Sequence, residues 1–235
     1  MKTWITKNGY KIIRILSGRS NVFLVTNGQM NILVDTSPSY MWRILEMRLK
    51  KLKVMNIDYL ILTHSHADHS ENAFPIKEKY SSKVFIHKDE ASYLTSGDNF
   101  LPEGTTSISR FIMNFGIKYI YSRFKNRPCQ YDFIVDSKFD LTNFGFNAFI
   151  LHTPGHSPGS MSVIVDNEIA LVGDAMFGVF KGSIFPPFAY DIKLMISSWK
   201  RLLETDCSYY LPSHGSANSR SLVLREYGKK SLIST

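Results

Sequence analysis

Cysteine is nearly absent, with only Cys129 and Cys207 in 235 residues. Two thiols are too few for a disulfide framework or a cysteine-based zinc site, so both read as reduced thiols, with a structural pair left open. No apolar run is long enough to span a membrane, and the N-terminal MKTWITKNGYKIIRILSG, with its scattered lysines, lacks the apolar segment of a secretory signal. A cytoplasmic protein without a membrane span is the expectation. Acidic residues are also short, 20 against 28 lysines and arginines, for a net charge of +8. That balance suits an anionic substrate, nucleic acid or a membrane surface, and is also common in soluble enzymes. Its densest stretch, RILEMRLKKLK, places Ile44, Leu45, Leu49 and Leu52 near helical spacing, so its charges read as a solvated helix face.

With 44% hydrophobic and 20% charged residues the chain has the composition of a soluble globular protein. YKIIRIL, NVFLVTN and NILVDT read as antiparallel strands between turn residues. A helix over about 39–53, the strand YLILT, a helix from Ser70 to about Tyr80 and the strand KVFIH give a β-α-β-α-β order. YDFIVD, FNAFILHT, MSVIVD and EIALVGD read as further strands, followed by the helix KLMISSWKRLLE, the strand YYLPSHG and a polar helix. Residues 97–128 interrupt this rhythm as a helical insert, dense in aromatics and basic residues, within a single domain spanning 1–235.

The chemistry is concentrated in THSHADHS, residues 63–70, directly after an apolar strand. His64 and His66 are two apart, so at an extended strand end they point the same way and can hold one cation. Asp68 and His69 follow a turn and can face a second position. Comparable residues recur at three later strand ends: His152 and His156 in HTPGHSPGS, Asp174 in LVGDAMFG and His214 in LPSHG. Imidazole and carboxylate without thiolate suit zinc, and manganese or iron also accept this set. His87, apart from any such motif, reads as a satisfied core residue, and His152 reads as a supporting donor.

Five elements in order, ILVDT with Asp35, the His-x-His-x-Asp-His motif, TPGHSPGS, the Gly-Asp step at Asp174 and SHG at His214, resemble the metallo-β-lactamase superfamily over nearly the whole chain. The resemblance implies a four-layer αββα sandwich with two Zn2+ ions. It places His64, His66 and His156 on one ion and Asp68, His69 and His214 on the other, with Asp174 between them. Two such cations lower the pKa of a shared water, so no serine or cysteine nucleophile is needed. Asp68 is expected to be both ligand and catalytic residue, orienting that water.

His66 favours hydrolysis over the redox branch, and Asp174 resembles the thioesterase, lactonase and phosphodiesterase branches. The expected function is hydrolysis of a small ester, thioester or lactone. A glutathione thioester is disfavoured by the short segment after His214. Phe177 stands where lactonases often carry a tyrosine, and Tyr190 is the alternative source of a hydroxyl. Two other readings stay open: an RNase Z-like phosphodiesterase using the basic aromatic insert, although nucleic acid is not the favoured partner, and a non-catalytic metal-binding module. The insert itself reads as a lid, as core or as a homodimer contact.

Overall fold

The computed structural model describes residues 1–98, 104–105 and 126–232. Strands β1 (Lys2–Ile5), β2 (Lys11–Leu16), β3 (Val22–Thr26) and β4 (Asn31–Val34) form the expected antiparallel meander. Period-two alternation decides their faces: Phe23, Val25, Ile32 and Val34 enter one apolar cluster, while Leu24 and Leu33 enter another on the opposite face. β5 (Tyr59–Ile61), β6 (Lys83–His87) and β7 (Phe133–Val135) then add in parallel, giving a seven-stranded sheet in chain order. Parallel neighbours need crossovers. These carry α1 (Trp42–Lys51), α2 (Ala67–Ser70), α3 (Ala73–Tyr80) and α4 (Ala91–Ser96).

A second sheet contains β8 (Lys138–Asp140), β9 (Ala148–His152), β10 (Met161–Val165), β11 (Ile169–Gly173), β12 (Tyr209–Pro212) and β13 (Asn218–Ser219). Its spatial order is β13-β12-β11-β10-β9-β8, antiparallel except between β11 and β12. The inner faces meet in one cluster, where Val34, Ile61 and Phe85 pack with Ile150, Val163 and Leu171. Outside the first sheet, Leu45 and Leu49 of α1, Ile76 of α3 and Leu94 of α4 cover Leu60, Val84 and Ile86. Outside the second, α5 (Ile192–Leu203) and α6 (Arg220–Ser231) cover Ile164, Ala170 and Val172. The order helix, sheet, sheet, helix is the αββα sandwich expected from the sequence.

α5 begins where the Asp191 side chain accepts a hydrogen bond from Leu194 N at 3.0 Å, an N-cap that satisfies one free donor. Its buried residues Met195, Ile196, Trp199, Leu202 and Leu203 recur at helical spacing. Trp199 is fully buried and its indole donates to Ala175 O at 2.5 Å. Trp199→Ala is expected to lower the unfolding free energy by about 3–5 kcal/mol, measured by denaturant titration. A loss below about 1 kcal/mol would contradict this packing.

Two features differ from the sequence expectations. The helix expected over 70–80 is two pieces, α2 and α3, separated at Glu71 and Asn72. Pro75 supplies the reason, because in one continuous helix its ring would strike the carbonyl of Glu71, whereas in the first turn of α3 its missing N–H costs nothing. The short strands β1, β8 and β13 and helix α4 were not legible from apolar runs. Residues 99–103 and 106–125 lie outside the described residues, so the helical, lid, dimer and basic-surface readings of the insert fall outside them too.

The two thiols are free and occupy opposite outer layers, Cys129 in the cluster under α1, α3 and α4, and Cys207 in the cluster under α5. Burial pushes both thiols up to about 11. Since the thiolate is the reactive form, neither is expected to react with a thiol reagent at pH 8 until the protein is unfolded, when two equivalents should appear. Rapid reaction of the folded protein would contradict this burial. Among the described residues no helix is long and apolar enough to cross a membrane.

Candidate metal centre

The sandwich gathers the ends of several strands along one edge. THSHADHS follows β5, His156 lies in the loop between β9 and β10, Asp174 follows β11 immediately and His214 follows β12. The register of β11 against β12 shifts between Leu171 and Gly173, an irregularity that ends the strand and re-aims the next side chain, Asp174. Gly155 sets the position of the His156 loop. Its φ is +133°, and a Cβ there would lie 2.3 Å from the backbone of Met195 in α5, so only glycine fits.

All seven residues singled out in the sequence come together. His64 Nε2 lies 2.8 Å from His66 Nδ1, which lies 3.1 Å from His156 Nε2. Such spacings are close to the roughly 3.3 Å between two nitrogens on one tetrahedral zinc. Asp68, His69 and His214 form a second group, and ligand atoms within each group lie within 4.8 Å of one another. Asp174 stands between the groups: Oδ2 is 3.4 Å from His156 Nε2 and 3.2 Å from His214 Nε2, while Oδ1 is 3.7 Å from His69 Nε2. Two buried atoms, His69 Nε2 and Asp174 Oδ1, have no hydrogen-bond partner. Leaving such atoms unsatisfied costs about 1–3 kcal/mol each, which a cation between them would remove. The residues therefore fit one or more metal ions.

Electrostatics divide the set. Burial, reinforced by the neighbouring imidazoles, holds His64 and His66 well below the ordinary histidine range. Burial also lowers His156, against the opposing pull of Asp174. For His69 burial acts downward but the carboxylates of Asp174, Asp68 and Asp35 outweigh it, lifting the imidazole to about 10. His214 is raised in the same sense, Asp174 overcoming burial. Burial would push Asp174 up, but His214, His69 and His156 hold it well below the usual carboxylate range. One group thus presents neutral imidazoles, and the other a cluster of opposite charges.

Asp35, part of the ILVDT motif but given no role by its spacing, supports the centre from beneath. Its φ of +60° turns the buried carboxylate inward. Oδ2 accepts from His69 Nδ1 and from Ser213 Oγ, both at 2.9 Å, and Oδ1 accepts from Thr63 N at 2.8 Å. This bond to Nδ1 leaves the His69 Nε2 facing Asp68 and Asp174. Carbonyl O of Phe188 does the same for His156, 3.0 Å from its Nδ1. Such partners fix ring orientation and ligand basicity.

Two other sequence features are resolved against a catalytic role. Against the expectation that the chain has no G-x-S-x-G elbow, residues 155–159, GHSPG, have that spacing of a serine nucleophile. That elbow needs an exposed hydroxyl on a strand-to-helix turn. Here Ser157 is fully buried and donates to Glu90 Oε1 at 2.6 Å. His87, His152 and Asp89 form a further cluster of ligand-type atoms. The two rings stack at 3.9 Å with 19° between planes, so no single ion lies in the plane of both. His87 bonds to Asp136 O and accepts from Asp89 N, the satisfied core residue expected from the sequence. His152 bonds to Pro158 O at 2.8 Å, bracing the loop that carries His156.

Access is from the side of Asp68 and His214, whose side chains are 18% and 16% exposed while His69 is sealed. Arg19 Nε approaches Asp68 Oδ2 at 4.0 Å from solvent, and the Phe177 ring lies 4.6 Å from that of His214. A cavity of about 380 Å³ is lined by Thr105, Ala189, Tyr190, Asp191 and Lys193, among others, and Tyr190 N donates to His156 O at 3.0 Å.

The sequence model of the Metallo-beta-lactamase superfamily matches residues 17–214. A probable metallo-hydrolase of Methanocaldococcus jannaschii is 28% identical over 204 residues, 86% of this chain and 90% of that protein. A hydroxyacylglutathione hydrolase of Haemophilus influenzae is 26% identical over 208 residues, 88% of this chain and 90% of that one. In structure, an archaeal metallo-beta-lactamase superfamily protein from Sulfolobus tokodaii superposes with a TM-score of 0.65 at 21% identity, over 94% of this chain and 85% of the other. A metallo-beta-lactamase from Novosphingobium pentaromativorans gives 0.65 at 15% identity, over 93% and 86%. The likeness extends from the end of β2 through the last histidine of the centre, and on that match the chain belongs to the metallo-beta-lactamase superfamily.

Proposed function

We propose that this protein is a zinc-dependent hydrolase of small esters, thioesters or lactones. In this reading His64, His66 and His156 would hold one ion and Asp68, His69 and His214 the other, with Asp174 within reach of both groups. When bound, a pair of zinc ions supplies a water acidified toward neutral pH and a Lewis-acid contact for the substrate oxygen. The chain's own residues do the rest. Asp35 and the Phe188 carbonyl bond Nδ1 of His69 and of His156, so that Nε2 of each ring faces the centre. Asp68, the carboxylate of the centre open to solvent, orients the attacking water and can pass its proton toward the leaving group. Phe177, against His214, offers an apolar wall at the mouth.

The observation that carries this reading is the convergence of seven imidazoles and carboxylates, two of whose buried atoms have no hydrogen-bond partner. Donors of nitrogen and oxygen with no thiolate favour zinc, and manganese or iron satisfy the same set. A glutathione thioester returns to the candidates, because the similarity to the Haemophilus hydroxyacylglutathione hydrolase covers 90% of that protein, at 26% identity.

The test is hydrolysis of a panel of acyl thioesters, aryl esters and lactones by protein stripped with a chelator and then restored with zinc. Turnover of at least one class, lost on stripping and regained with metal, is expected. Turnover unaffected by stripping would contradict the reading.

A further inference from the structure

Glu90 is fully buried at the junction of β6 and α4, outside both histidine-bearing loops, yet its carboxylate bonds to each of them. Oε2 accepts from the Ser65 backbone N at 3.1 Å and from the Ser65 hydroxyl. Oε1 accepts from the Ser157 hydroxyl at 2.6 Å and from Gly159 N at 3.1 Å. Ser65 separates His64 from His66, and Ser157 follows His156.

We propose that Glu90 is a positioning residue: by holding both loops on one carboxylate it sets His156 against His64 and His66 at the spacing one cation requires. The inference rests on the reading of these three histidines as ligands of one ion. Ser65 and Ser157 belong to loops leaving different sheets, so their relative placement is not fixed by strand pairing within either sheet. Both backbone N–H groups can only donate, so both ends of the Glu90 side chain must accept. A carboxylate meets that requirement and an amide does not. Gly159 permits the approach: a Cβ there would lie 2.5 Å from Glu90 Cγ and 2.8 Å from His87 Nδ1. Asp35 plays the matching part for His69, bonding to Thr63 and to Ser213 beyond β12.

Glu90→Gln separates this role from general fold support. The amide nitrogen must face either Ser65 N or Gly159 N, so one loop is released while side-chain volume is kept. Zinc affinity is measured by competition with a chromophoric chelator, the visible spectrum is recorded for the cobalt-substituted protein, and thermal unfolding is followed for the metal-free protein. Affinity is expected to fall about 10- to 100-fold, with an altered cobalt spectrum. Glu226→Gln, at a buried carboxylate on α6, is the control for lost stability alone and is expected to leave both readouts unchanged. Should Glu90→Gln fail to fold, Gly159→Ala, which forces the carboxylate away sterically, is expected to weaken zinc binding in the same way. Wild-type affinity and spectrum in the folded variant, whatever its melting temperature, would overturn the inference. Absence of zinc binding in the wild-type protein would overturn the ligand reading itself, and is seen before either variant is made.

Discussion

Asp174→Ala is expected, on the proposed two-zinc reading, to reduce bound zinc from two equivalents to one or none and to lower hydrolysis by more than about 100-fold, beyond the usual cost of losing an outer partner of a ligand. The reason is geometric. Asp174 is the carboxylate within reach of both groups, 3.4 Å from His156 on one side and 3.2 Å from His214 on the other. It is also the strongest of the charges that lift His69, so its loss removes the counter-charge of the second group. Metal content and turnover, measured on one preparation, check this together. Retention of two equivalents with unchanged turnover would contradict the bridging role.

Asp35→Asn is expected to weaken binding at the His69 position by about 10- to 100-fold although Asp35 touches no ligand atom facing an ion. Thr63 N can only donate, so the amide oxygen must take the Oδ1 position and the NH2 must face His69 Nδ1. His69 then accepts through Nδ1 and carries its proton on Nε2, the nitrogen that faces Asp68 and Asp174. Asp35→Ala adds a stability loss of about 3–5 kcal/mol, since it strands His69, Ser213 and Thr63 around a buried gap. Zinc titration of both variants, with denaturant unfolding of the metal-free forms, separates the two effects. Equal zinc affinity in wild type and Asp35→Asn would contradict the tautomer argument.

These effects show what was legible in the sequence. THSHADHS was legible because its ligand-type residues lie within six positions, and local strand geometry alone aims them. Asp174, His156 and His214 were legible because each stands beside glycine or proline after an apolar strand. The architecture followed from the same runs, since alternating or wholly apolar strands and one-sided helices leave few ways to pack. Asp35 was visible as a motif residue, but its role depends on a left-handed backbone turn and on Ser213, 178 positions away. Glu90 was not legible at all, because its partners Ser65 and Ser157 are contributed by different sheets. The G-x-S-x-G spacing at 155–159 carries no nucleophile, because Ser157 is buried against Glu90. The edge strands β1, β8 and β13 have two to four residues, too short to show a period.

The metal content of the purified protein tests the central claim most directly. Protein prepared without chelators, and again after dialysis against zinc, is analysed by elemental mass spectrometry alongside quantitative amino-acid analysis. Two equivalents of zinc per chain, falling in Asp174→Ala, are expected. A folded wild-type protein that retains no divalent transition metal after exposure to zinc, manganese and iron would contradict the account.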